Sequence, residues 1–394
     1  MKHYGFFVAL CIPVLAFLQA DHHSQTYKFG THISAALEAD TLPWKYQTGA
    51  VMYSFAGDYR NALQVWDKGM TTRNYIPTQT DSAILANSVR KDAREYILSR
   101  SNTEQIIIIN EAHHNARHRT FTRSLLEGLY KNGYRYLGLE AIFDTAINVR
   151  NFATSETGYY TNEPEFGNLI HEARRLGFTL FSYEASEGKN GKEREIAQAQ
   201  NIYAFMQQHT KGKYLIHCGY DHAFEYEMRN WEKAMAGRLK EYSKIDPLTI
   251  DQVKFSEKSR PEYSHYFVSA TKARSAFVLI DKNHKPFNGI NEPKQTDIAV
   301  IHPLTGYENE RPNWLAAGKV KYSLPQKKRM NYTYPVLVMA YRENEFEQKG
   351  VPADLVELGG KEINLPLYLK KGKYTIVIKN TAYEIVERFT VTAK

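Results

Sequence analysis

The chain has 394 residues, more than the roughly 100 to 200 of a usual single domain, so two or more domains are expected. Apolar residues make up 43% and charged residues 24%, which excludes a disordered, collagen-like or coiled-coil protein, and the 28 tyrosines favour sheets and amphipathic pocket walls. The formal net charge of +8 is diffuse. Its densest run, Lys327-Lys328-Arg329, has no Gly-rich phosphate loop, zinc knuckle or RNA-binding aromatic signature beside it, so no nucleic-acid partner is expected.

Met1 to Ala20 opens with Lys2, continues apolar from Phe6 to Leu18 and ends Leu18-Gln19-Ala20 before polar Asp21-His22-His23, a secretory signal pattern. The apolar stretch is shorter than the ~20 residues of a spanning helix and is interrupted by Pro13, so after signal removal no transmembrane segment is expected and the protein is placed in the periplasm or secreted. Cys218 is then the sole cysteine, which excludes an intrachain disulfide and a cysteine-rich zinc site. From Thr31 to Met70 apolar residues recur at helical spacing, and Gly57-Asp58-Tyr59 divides them into two helices, a hairpin. The string from Tyr53 to Leu63 resembles one tetratricopeptide unit, without a second copy at the repeat period.

Beyond Pro77 short apolar runs alternate with amphipathic helices. Strands are expected at Ile106–Ile109, Tyr134–Leu139, Phe178–Phe181 and Tyr214–Cys218, with helices at Arg117–Asn132, Phe166–Leu176 and Lys192–Gln208. This alternation predicts an α/β fold with a largely parallel sheet and helices on both faces. Ala276–Ile280 and Ile298–Ile301 are further strand candidates. After Pro312 the helical period disappears, and Val336–Tyr341, Ile363–Leu369, Tyr374–Ile378 and Ile385–Val391 predict a small C-terminal antiparallel β-sandwich with a packing or binding role. The expected organisation is a signal peptide over 1–20, a helical hairpin over 21–76, an α/β domain over 77–314 and the sandwich over 315–394.

Each of the four main strands ends in residues capable of proton or metal chemistry. The first runs into Asn110-Glu111-Ala112-His113-His114-Asn115, the second into Glu140, the third into Tyr183-Glu184 and the fourth into Gly219-Tyr220-Asp221-His222. In open α/β sheets the carboxyl ends of the strands form the ligand crevice, so these four stretches converge on one pocket. Grouped carboxylates and histidines suit general acid/base catalysis. Two histidines and a carboxylate could equally ligate a divalent ion with water in the open position. Four side chains read more plainly. Glu111 could cap the following helix, His118 and Arg119 read as surface residues within it, and His217 reads as a core histidine bonded to a neighbour. Arg194, one turn into its helix, could reach an anionic group above the sheet.

The string Asn110 to His118, followed by a helix and Tyr136-Leu137-Gly138-Leu139-Glu140, resembles the erythromycin esterase-like and ChaN-like superfamily, to which TraB and Tiki proteins are related. Gly219-Tyr220-Asp221-His222 resembles its second Gly-x-x-His motif, and Asn110 to His113 the first with asparagine in place of glycine. The resemblance covers roughly residues 100 to 260. It implies that Glu111, Glu140 and His222 belong to the site, with Glu184 at an equivalent strand end. An esterase-like register selects His114 as the base, and a ChaN-like or Tiki-like register selects His113. Relatives include hydrolases, metal-dependent proteases and haem binders, so a small-molecule or peptide substrate is expected. If a cofactor is present, a divalent metal ion is expected ahead of haem. The resulting expectation is a hydrolase in which His113 or His114 deprotonates water, Glu111 orients that histidine, and Glu140 and His222 hold the water or an ion. The rival is a haem- or metal-binding protein without catalysis.

Overall fold

The structure, a computed structural model, describes residues 25–290 and 294–394. The signal pattern of residues 1–20 lies outside the described residues. Among the described residues no helix is long and apolar enough to cross a membrane.

Three helices open the chain: α1 (Gly30–Ala39), α2 (Lys45–Phe55) and α3 (Tyr59–Gly69). α2 and α3 form the expected hairpin. Between them Gly57 takes φ +71°, and a Cβ there would lie 2.6 Å from the Leu355 carbonyl oxygen, so glycine is required twice over. Asp58 caps α3 by accepting from the Asn61 backbone N–H at 3.1 Å. The expected first helix is split in two, because Asp40 accepts from the Leu42 backbone N–H at 2.8 Å and Pro43 follows.

The central sheet contains the four expected strands, β1 (Ile106–Glu111), β2 (Tyr134–Leu139), β3 (Thr179–Ser182) and β4 (Lys213–Gly219). Two more complete it, β5 (Leu248–Asp251) and β6 (Ile298–Ala299). The order is β6-β5-β1-β4-β2-β3, and every pairing is parallel. β1 shows why the sheet is covered on both sides. Ile107 and Ile109 join one core with Phe121, Leu125 and Leu129 of α4 (Ala116–Lys131) and with Phe166, Leu169 and Ile170 of α5 (Pro164–Leu176). Ile106 and Ile108 point the other way, into a core with Ala199, Ile202 and Met206 of α6 (Gly191–Gln208). All four isoleucines are fully buried, each worth about 1.5–3 kcal/mol relative to exposure. The candidate near Ala276 forms a strand at Phe277–Asp281, but it pairs antiparallel with Ser88–Asp92 outside this sheet.

The C-terminal part is antiparallel. Strands Asp354–Leu358, Val336–Arg342, Gly372–Lys379 and Ile385–Ala393 pair in that order. One face packs on a two-stranded ladder of Val320–Tyr322 and Leu367–Leu369, and the other places Leu337, Met339 and Val377 against Phe29, just before α1. Buried ions join this part to the rest. Arg311 donates to both oxygens of Asp354, at 2.5 and 2.7 Å, and to the Gly57 carbonyl at 3.1 Å. Lys319 donates to Glu165 in the first turn of α5, which also pairs with Arg123 at 3.0 Å.

Truncating Asp354 strands a buried guanidinium, so Asp354→Ala is expected to cost about 3–5 kcal/mol, read as a shifted urea midpoint. Burial would raise the Glu165 carboxyl, but Arg123 and Lys319 outweigh it and hold it down to about 2, from 4.5. A carboxyl depressed by folding stabilises the fold fully above 4.5, and that contribution is lost as pH falls from 4.5 towards about 2. Glu165→Gln is therefore expected to lower stability at about pH 7 and to flatten the acid side of the stability profile. Parallel acid limbs for the two proteins would contradict it.

Candidate active site

The site lies at the carboxyl end of the sheet, and its first half grows from β1. Glu111, the last residue of that strand, is 1% exposed and takes four donors. Arg119 gives Nε–H to Oε2 and Nη2–H to Oε1, both at 2.6 Å, while His217 of β4 reaches Oε2 at 2.8 Å and His113 Nδ1 reaches Oε1 at 2.9 Å. Burial alone would raise the Glu111 carboxyl, but Arg119 and His217 hold it well below the ordinary range. Because Glu111 is ionised and can only accept, His113 carries a hydrogen on Nδ1, and in the neutral ring Nε2 is the accepting atom.

The loop after β1 fixes that ring. Arg119 also donates to the His113 carbonyl at 3.1 Å, Tyr160 stacks on the imidazole with centroids 3.7 Å apart, and Tyr220 meets it edge-on at 5.1 Å. Asn115, not Glu111, caps α4, its side chain accepting from the Arg117 backbone N–H at 3.3 Å. The expected surface positions of His118 and Arg119 are also corrected, for both are fully buried. Arg119 lies three and seven residues before Thr122 and Leu126, on the buried stripe of α4. Asn110, where the resembling motif has glycine, is a strut. Its amide nitrogen donates to the Tyr220 carbonyl at 2.8 Å and to Asp251 at 3.0 Å, joining β1 to β5 and to the loop after β4.

The second half is carried by β2, β3, β4 and α6. Glu140 accepts from the Gly219 backbone N–H and, at 2.7 Å, from Arg194. Arg194 also grips both oxygens of Glu184, at 2.9 and 2.7 Å, and approaches His222 Nε2 at 2.9 Å. His222 Nδ1 lies 2.8 Å from Glu195 Oε1, and its ring is stacked on Trp231. Burial would raise Glu140, but His222 and Arg194 outweigh it and hold the carboxyl down.

Gly219 joins the halves. A Cβ on it would lie 2.7 Å from His113 Nε2 and 3.1 Å from Glu140 Oε2, so glycine is what lets the imidazole and the carboxylate share one small space. Of the expected site residues, Glu111 and His113 meet directly, Glu140, Glu184 and His222 meet through Arg194, and the two groups face each other across Gly219.

His114 is elsewhere. Its ring stacks on Trp66 of α3, with centroids 4.0 Å apart, beside a cavity of about 10 Å³ lined by Tyr59, Glu257, Thr305 and Trp314. That space is the size of one water. Burial and the nearby Lys258 hold His114 well below the ordinary histidine value, and its buried Nδ1 has no protein partner. Beyond the expected set, Arg119, Glu195, Glu163, Tyr160 and Trp66 contribute to the site or its walls. Glu163 accepts from Arg119 at 3.1 Å and from Tyr59 of α3 at 3.0 Å.

The donors of these two clusters do not fit a divalent ion, and His113 does not fit a haem. Among the described residues no group of three or more histidine, cysteine or carboxylate side chains is placed to hold a metal ion, and the carboxylates that would serve are engaged by Arg119 and Arg194. A haem ligand needs a flat apolar slot above its nitrogen, whereas His113 Nε2 faces the Gly219 backbone and Glu140.

No protein-family model matches the chain, and no curated protein matches it. Among solved structures the chain is similar to the type III effector HopBA1, with a TM-score of 0.35 and 10% identity, over 55% of this chain and 96% of that one. It is also similar to RRSP, a MARTX toxin effector domain from Vibrio vulnificus CMCP6, with a TM-score of 0.30 and 15% identity over 51% of this chain and 45% of that one. A structure described as bacterial protein toxins gives a TM-score of 0.29 and 16% identity over 54% of this chain and 48% of that one. The chain thus spans about half the length of the latter two.

Proposed function

We propose that this chain is a hydrolase in which His113 takes a proton from a water that attacks an ester, lactone or amide carbonyl. The observation that carries the reading is the Glu111–His113 pair, 2.9 Å apart, in which Nδ1–H is committed to a buried carboxylate and Nε2 is left facing the space above Gly219. A carboxylate fixed in this way selects the tautomer that can accept a proton and stabilises the imidazolium that results. Arg119 keeps Glu111 ionised and holds the His113 carbonyl, so both ends of the pair are pinned by one guanidinium. Glu140 stands across Gly219, where it can orient the water through a hydrogen bond. The likeness of the strand-end motifs to a superfamily that includes hydrolases supports the reaction class, and the geometry favours the ChaN-like or Tiki-like register, which selects His113, over the esterase-like one, which selects His114.

The adjacent histidines provide the test. On a panel of ester, lactone and peptide substrates, His113→Gln is expected to lower kcat by about 10²- to 10⁴-fold, the usual worth of a positioned base. His114→Gln, which alters a ring packed on Trp66 outside the Glu111 cluster, is expected to stay within a few-fold of the native rate. Loss of turnover in His114→Gln with His113→Gln intact would reject His113 as the base.

A further inference from the structure

Glu195 and Arg194 are neighbours on the first turns of α6, and both reach His222. Glu195 is held through one oxygen, since its Oε2 accepts from the Met235 backbone N–H at 2.8 Å and also pairs with His222 Nδ1 at 2.9 Å. The Nδ1 hydrogen therefore points at Glu195, and Nε2 is the position that can gain or lose a proton. Two groups compete for it, Arg194 Nη1 at 2.9 Å and Glu140 Oε1 at 3.4 Å. A guanidinium only donates, so the Arg194 contact belongs to bare Nε2, whereas a protonated Nε2 donates to Glu140 and repels Arg194. Stacking on Trp231, at 5.1 Å and 8°, keeps the ring from swinging away in either state.

We propose that Glu195, His222 and Arg194 form an acid arm opposite His113. His222 Nε2–H protonates the departing atom, Glu195 positions the ring, and Arg194, released from Nε2 when that atom is protonated, faces the oxygen on which negative charge develops. This rests on the hydrolytic reading above. In the first step a bond forms between water oxygen and the carbonyl carbon, His113 Nε2 takes the water proton, and the carbonyl π pair moves onto oxygen beside Arg194. In the second step that pair returns, the bond to the leaving oxygen or nitrogen breaks, and the leaving atom takes the proton from His222. Nothing is oxidised or reduced. His113 ends protonated and His222 bare, and Glu140, between the two rings, is the carboxylate through which the proton returns.

The charged groups facing His222 are Glu195 and Arg194 from α6, Glu140 from the end of β2 and its neighbour Asp221, with Glu184 reaching it through Arg194. Burial would lower the imidazole, but Glu195 and Glu140 outweigh burial and raise it.

The experiment compares p-nitrophenyl and ethyl esters of the same acyl groups, acetyl, butyryl and phenylacetyl. Nitrophenolate departs without a proton and ethoxide does not, so Glu195→Gln and His222→Gln are expected to slow the ethyl esters by about 10²-fold more than the nitrophenyl esters. His113→Gln is expected to slow both alike. Equal losses on both esters in Glu195→Gln and His222→Gln would overturn the acid arm and leave the hydrolytic reading standing. Failure of the native protein to turn over any pair would overturn both. Nitrogen-15 titration of His222 in the substrate-free protein reads the arm separately. Its midpoint is expected to fall in Glu195→Gln and rise in Arg194→Gln, and a midpoint unmoved by Glu195→Gln overturns the arm whatever the ester rates.

Discussion

An ionised carboxylate sealed inside a protein costs several kcal/mol unless its oxygens are fully bonded, and Glu111 sits where that cost has to be met. Four donors meet it, two from Arg119 on α4, one from His217 on β4 and one from His113 in the loop between β1 and α4. The three residues that supply them come from three different elements. The β1–β4 pairing must be in register to bring His217 opposite Ile109, α4 must begin at Ala116 for Arg119 to point back at the strand end, and the loop must turn His113 inward. Satisfying one buried charge thus specifies the local geometry of the site, and the low dielectric that makes an unpaired charge costly also strengthens the pairs that form.

The same constraint organises the other half. Glu140, Glu184 and Glu195 would repel one another and whatever anionic charge develops in the cleft if left alone. Arg194 bridges the first two, and His222 joins the third to Glu140. Gly219 is the hinge between the halves for a steric reason, since its φ of −82° is open to any residue while the space above it is already taken by His113 and Glu140. A glycine before a Gly-x-x-His histidine is required here by close approach.

Much of the frame was legible in the chain because its strands are buried on both faces and read as continuous β-branched runs, as Ile106–Ile109 does. β6 lies within the expected strand Ile298–Ile301, whereas β5 is not read from the sequence. Leu248–Asp251 is four residues long and follows Asp246-Pro247, so it offers no period. The strand-end carboxylates and histidines stood out by position. The residues that organise them did not, because Arg119 and Glu195 are charges inside helices and resemble solvated faces. A periodic signal was nevertheless present: Glu195 is followed at four and seven residues by buried Ala199 and Ile202, and Arg119 at seven by buried Leu126. A charge on the apolar stripe of a helix must have a buried partner. The choice between His113 and His114 had no such signal, since adjacent loop residues point in directions that only the turn decides.

The parts outside the central sheet enter the electrostatics of the site through the start of α5. Glu163 and Glu165 lie two residues apart, both buried, and Glu165 is one of the groups that push Glu163 upward. Glu163 shares Arg119 with Glu111, so any increase in its demand for a cation competes with the pair that keeps Glu111 ionised. Lys319, whose side chain is 2% exposed, and Arg123 neutralise Glu165, while Tyr59 of α3 donates to Glu163. The C-terminal part and the helical hairpin therefore each supply one group to a short buried ladder of charges that ends on the site. Their contribution is to leave Arg119 with one principal obligation, the carboxylate that orients His113.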